Sequence, residues 1–91
     1  MGGLLGLAYE KGTIGVYGDL KDFNECTKNG YYRVMGKSED ILNACPVTYG
    51  IMVVYGESEP YKLQVTFDLT KKQIAYRMYA DSNWTGWFAY L

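Results

Sequence analysis

The chain has 91 residues, enough for one small domain, and a domain of that size buries only about 60–65% of its unfolded surface, leaving a thin core. Nine basic residues against ten acidic ones give a net charge of −1, and no block of like charge appears, which excludes the electrostatic footprint of a nucleic-acid or anionic-membrane binder. The absence of histidine removes Ser-His-Asp and Cys-His machinery, and with only two cysteines it makes a zinc site untenable.

Residues 1–18 are punctuated by Gly2, Gly3, Gly6, Gly12, Gly15 and Gly18. The apolar stretch from Leu4 to Tyr9 is broken by Gly6 and is too short to span a bilayer. It lacks a basic flank and a small-residue cleavage site, so no secretory signal is expected. Thr13 to Tyr17 has strand composition weakened by Gly15. The whole segment reads as a linker, or as an edge that pairs with a neighbouring subunit. Asp19 to Phe23 reads as a short helix, with Asp19 as N-cap, Asp22 in the first turn and an apolar pair in Leu20 and Phe23. Lys28-Asn29-Gly30 is the turn that ends it.

From there the chain reads as strands. Tyr31 to Met35 is the first, followed by a polar loop from Gly36 to Val47 in which Pro46 holds Cys45 extended. Gly50 to Tyr55 is an unbroken apolar run, as expected of a strand buried on both faces. Tyr61, Leu63, Val65 and Phe67 alternate with Lys62, Gln64, Thr66 and Asp68, the period of a half-buried strand whose apolar side faces the core. After a bend at Thr70-Lys71-Lys72, Ile74, Tyr76 and Met78 alternate with Ala75, Arg77 and Tyr79. Asp81-Ser82-Asn83 turns into a last strand from Gly86 to Leu91, with Trp87 expected in the core. The fold class is mainly β: a small antiparallel meander with one short N-terminal helix.

Little in the chain suggests catalysis. Asp19 and Asp22, Glu39 and Asp40, and Glu57 and Glu59 are paired acids, but they fall in loops and caps rather than across a cleft as glycoside hydrolysis needs. Gly36-Lys37-Ser38 lacks the earlier glycine of a phosphate-binding loop, since that position is Tyr31. No metal or other cofactor is expected. Cys26 and Cys45 are expected to be free, partly buried thiols, because a chain without a secretory signal matures in a reducing compartment.

One ordered set of residues carries more information. It runs Gly30-Tyr31-Tyr32-Arg33-Val34, Asn43-Ala44-Cys45-Pro46, Gly50-Ile51-Met52-Val53-Val54, Gln64, Arg77 and Trp84-Thr85-Gly86-Trp87. This order resembles the pyocin knob family, small β-rich modules in the tail fibres of bacteriophages and R-type pyocins. The similarity covers residues 19–91. It implies a non-enzymatic fibre module, set within a longer chain, that attaches to a host surface or spaces a receptor-binding tip. It also implies a parallel homotrimer, contacts through residues 1–18, and a place in a virion or phage-like tail assembled in the bacterial cytoplasm. The alternative is a small carbohydrate- or protein-binding β domain of a cellular protein.

In the knob pattern a glutamine, an arginine and a tryptophan recur where Gln64, Arg77 and Trp84 stand. Two roles are open to them: a staple joining the hairpin to the final strand, or a sugar platform with Trp84 beneath a ring and Gln64 and Arg77 on its hydroxyls. Any receptor contact, for instance with a bacterial surface glycan, is expected at Tyr79, Asp81, Asn83 and Trp84. Aromatic faces there flank planar polar groups on a turn, where binding residues are commonly carried.

Overall fold

The computed structural model describes residues 9–90, and in them the alternating segments become neighbouring strands of one sheet. The strands are β1 (Glu10–Ile14), β2 (Gly30–Met35), β3 (Tyr49–Tyr55), β4 (Lys62–Asp68), β5 (Gln73–Ala80), β6 (Asn83–Trp84) and β7 (Phe88–Tyr90). β2 to β5 form an antiparallel meander in chain order. β6 and β7 both pair with β5; the last strand, expected from Gly86, begins at Phe88, and β6 precedes it as a separate short strand. The β4–β5 bend is fixed by Asp68, whose Oδ1 accepts from the Thr70 amide and hydroxyl and from the Lys71 amide. The Thr70 hydroxyl, with the Lys71 amide, holds the Asp68 carboxyl below its ordinary range.

β1 is parallel to β2, making the sheet mixed rather than a pure meander. Its direction follows from the connection after it, which crosses one face before returning as β2. Gly15 takes a φ of 129° there, and an added Cβ would strike the Met35 carbonyl. Lys21 Nζ donates to the carbonyls of Gly15, Val16 and Gly18 at 2.9, 3.2 and 2.8 Å, gathering the turn around its ammonium. Residues 9–18 thus belong to the same packed unit, with Ile14 fully buried in the common core. The remainder of the expected linker, residues 1–8, lies outside the described residues.

The helix expected over Asp19 to Phe23 is absent. Leu20 pairs instead with β1, its amide donating to Thr13 O and its carbonyl accepting from Gly15 N, which leaves that backbone unable to coil. One 3-10 turn follows at Phe23–Glu25, with Asp22 as its N-cap.

The side of the sheet that faces the core is the reverse of the expected one. Gln64, Thr66, Asp68, Ala75 and Arg77 are buried. Leu63, Val65, Phe67, Ile74, Tyr76 and Met78 point the other way, with Ile74 and Met78 exposed. Likewise β3 buries Met52 and Val54 but only half-buries Ile51 and Val53, so it is not covered on both faces. The cause lies in the layer over the inner face, built from residues 15–29 and 36–48. It contributes Phe23, Cys26, Ile41, Cys45 and Val47 to a core with Ile14, Tyr32, Val34, Met52 and Val54. It also brings backbone carbonyls that must find donors, and Gln64 of β4 supplies them to Phe23 and Cys26. The outer face is left with rows of apolar side chains in register: Tyr31, Val53, Val65, Tyr76 and Phe88, and beside them Ile51, Phe67 and Ile74.

Candidate functional site

Gln64 and Arg77 are direct cross-strand partners on β4 and β5. Gln64 is fully buried, and its Nε2 donates to the carbonyls of Phe23 and Cys26 at 2.8 and 2.9 Å. Its Oε1 accepts from Arg77 Nε at 2.7 Å. Arg77 Nη2 donates to Asn24 Oδ1 at 2.8 Å. Asn24 is placed by the 3-10 turn, where its amide donates to Asp22 Oδ1 at 2.9 Å. The guanidinium lies between two indoles, 4.1 Å from the Trp84 ring centre and 4.9 Å from that of Trp87. Trp87 Nε1 donates to the Asn43 carbonyl, and its ring meets Phe23 edge-on at 5.8 Å.

Among the described residues, the buried cation is therefore held by neutral oxygens and π faces rather than by a contacting carboxylate. Burial pulls Arg77 down to about 10, against a partial rise from Asp22. The Cys26 thiol is pushed up to about 12, chiefly by burial and next by Glu25, and burial raises Cys45 as well. Both cysteines are free and buried.

Gln64, Arg77, Trp84 and Trp87 thus meet in one network that ties the loop layer to the sheet. Neither Gln64 nor Arg77 presents a polar group to solvent in the manner of a sugar platform, since both are buried and bonded inward. Trp87 precedes β7 and is half-buried against the core rather than within it. Sequence reasoning missed Asn24 and the two carbonyls, which carry no side-chain pattern to announce them.

The turn holding the other candidate residues is a two-residue hairpin. Asp81 and Ser82 take φ of 53° and 67°, the left-handed pair that suits the twist of adjacent strands. Tyr79 and Trp84 face each other across it, ring centres 5.2 Å apart at 62°. Trp84 packs against Arg77 on its face and Tyr79 at its side, and remains partly exposed. Asn83 Nδ2 donates to Asp81 O and closes the turn. Tyr79 and Asp81 border a hollow of about 350 Å3 that also takes in Glu59, Pro60, Tyr61, Lys62 and Ser82. Lys62 Nζ donates to the carbonyls of Gly56 and Glu59 at 3.1 and 2.6 Å and sits 5.5 Å from the Tyr79 ring centre. Tyr61 and Lys62 were not anticipated, because Lys62 meets Tyr79 through the β4–β5 register, which alternation alone does not fix.

The described residues contain no group of acids and cysteines placed to hold a metal ion, and no helix among them is long and apolar enough to cross a membrane. Comparison of the chain with family models, with curated proteins and with solved structures finds no match.

Proposed function

We propose that this chain is a non-enzymatic module of a tail fibre of a bacteriophage or phage-like particle, serving host attachment or the spacing of a receptor-binding tip. The observation that supports it is the convergence of Gln64, Arg77, Trp84 and Trp87. Residues that carry the resemblance to the pyocin knob family, though spread over the last third of the sequence, meet around one buried guanidinium. On this reading they are the module's structural signature, and receptor contact falls to the adjoining turn.

The outer sheet face supports the multi-copy part of the reading. From β2 to β5 its ionised residue is Arg33, which pairs with Glu10 at 3.8 Å. A sheet face with so little charge is the kind of surface that association of copies would cover. In a parallel homotrimer three such faces would turn toward the common axis, in addition to the contact expected through residues 1–18. Light scattering on the natural fibre chain is expected to return three copies, and a lysine at Val65 or Phe67, both outward-pointing, is expected to reduce the mass to one. A monomeric natural chain would overturn the proposal.

A cellular carbohydrate-binding domain is the second reading, favoured by the hollow beside Tyr61 and Tyr79. Genes for tail and lysis proteins adjacent to this one would decide for the fibre.

A further inference from the structure

We propose that the hollow between the β3–β4 loop and the Asp81-Ser82 turn is a binding site for a neutral saccharide. The inference rests on the attachment reading for its biological setting, whereas its chemistry stands on the hollow alone. Two tyrosines form the walls. Tyr61 is 68% exposed, and Tyr79 is half-buried with its ring packed edge-on against Trp84. A pyranose presents one face of C–H groups bounded by hydroxyls, and a phenol ring offers the matching apolar plane with a polar tip. The volume of about 350 Å3 is at the small end of ligand sites, typically ~300–1,000 Å3, and suits one or two sugar rings rather than a folded partner.

The charges select among sugars. Glu59 and Asp81 border the hollow with Ser82, and ionised carboxylates accept hydrogen bonds from hydroxyls but repel uronic or sialic carboxylates. Lys62 offsets only one of these two carboxylates, and two of its three N–H groups are already spent on the Gly56 and Glu59 carbonyls. The remaining one can reach a ring or hydroxyl oxygen.

Both sides of the hollow are fixed before any ligand arrives. Asn29 Oδ1 accepts from the amides of Gly56 and Glu57 at 2.9 Å each, and the Asn29 amide donates to Glu57 Oε1 at 2.9 Å. Lys62 clamps the same loop from the strand side. The opposite wall is the tight Asp81-Ser82 hairpin. A site so held loses little conformational freedom on binding, which is what a small, weakly binding ligand requires. A second hollow of about 320 Å3 shares Tyr61, Lys62 and Tyr79 and adds Tyr55, Leu63 and Met78 on the outer face.

The test is an amide-resolved NMR titration of the 91-residue chain with maltotriose, mannotriose, chitotriose and trigalacturonate at millimolar concentration. At least one neutral trisaccharide is expected to give saturable shifts centred on Tyr61, Lys62, Tyr79 and Asp81, with trigalacturonate at least tenfold weaker. Tyr61→Ala, at an exposed site, should keep the dispersed spectrum of a folded chain and weaken binding about tenfold. Three results overturn the proposal: no saturable shifts at these residues with any neutral trisaccharide, unchanged binding in Tyr61→Ala, or equal binding of trigalacturonate. Each would leave the light-scattering result standing, so the saccharide site and the fibre module fail separately.

Discussion

Replacing Gln64 should cost more stability than replacing Arg77, although only the arginine is charged. Gln64→Leu keeps the volume close to native while removing the acceptor of Arg77 Nε and the donor to two carbonyls. The Phe23 carbonyl retains the bond from the Cys26 amide, so the loss falls on the Cys26 carbonyl and on a guanidinium that is only 3% exposed. An unmet buried polar group costs about 1–3 kcal/mol and a charged one more, which puts Gln64→Leu at about 3–5 kcal/mol. Arg77→Met leaves Gln64 Oε1 without its donor, but Asn24 is exposed and water can replace the arginine there. It also removes a desolvated cation, so its cost should be about 1–3 kcal/mol. The double variant no longer contains the unmet guanidinium, and should cost less than the two single costs together by about 1–2 kcal/mol. Urea unfolding followed by tryptophan fluorescence reports it directly, since Trp84 and Trp87 flank the guanidinium. Arg77→Met costing as much as Gln64→Leu, or strict additivity in the double variant, would refute the account of the network.

The cysteines give two further predictions. Both should resist a thiol reagent in the folded protein and react on unfolding without prior reduction, because both are buried and free; a requirement for reduction would show them paired. Alkali should destabilise the fold. Cys26 is raised from 9.0 to about 12, so the folded state holds its proton more tightly, and the stability this confers is complete below about pH 9 and lost as pH climbs toward 12. Burial raises Tyr32 and Cys45 in the same direction, adding to the loss. Urea midpoints measured from neutral pH to about pH 11 should fall, and Cys26→Ala should flatten that slope; an unchanged slope would exclude Cys26 as a source.

Strand positions were legible because an alternation of two survives in the sequence wherever one side of a strand is covered. What alternation cannot convey is which side. Leu63, Val65 and Phe67 look like a core face until the loop layer is known to carry carbonyls that require Gln64, and that layer has no periodicity to read. The parallel β1 was hidden for a related reason: its direction depends on the Leu20 and Gly15 backbone bonds rather than on side-chain type. Asp22 and Phe23 were read as parts of a helix, and they do start and anchor a single 3-10 turn, shortened because Leu20 is already paired. Of the binding candidates, Tyr79 and Asp81 border the hollow, Trp84 packs on the arginine, and Asn83 bonds within the turn.

The mixed sheet also determines how the molecule can meet others of its kind. Lateral growth by strand addition needs a straight row of unpaired amides and carbonyls. On one flank the final strand, β1, has five residues, a register shift between Glu10 and Gly12, and the charges of Glu10 and Lys11. On the other, β5 is capped by a two-residue and a three-residue strand separated by a break, so no long ladder is offered. Runaway fibrillar stacking of sheet beside sheet is therefore blocked from both flanks, even though much of the apolar surface remains uncovered. On the trimer proposal, contact between copies falls instead to the outer face of the sheet.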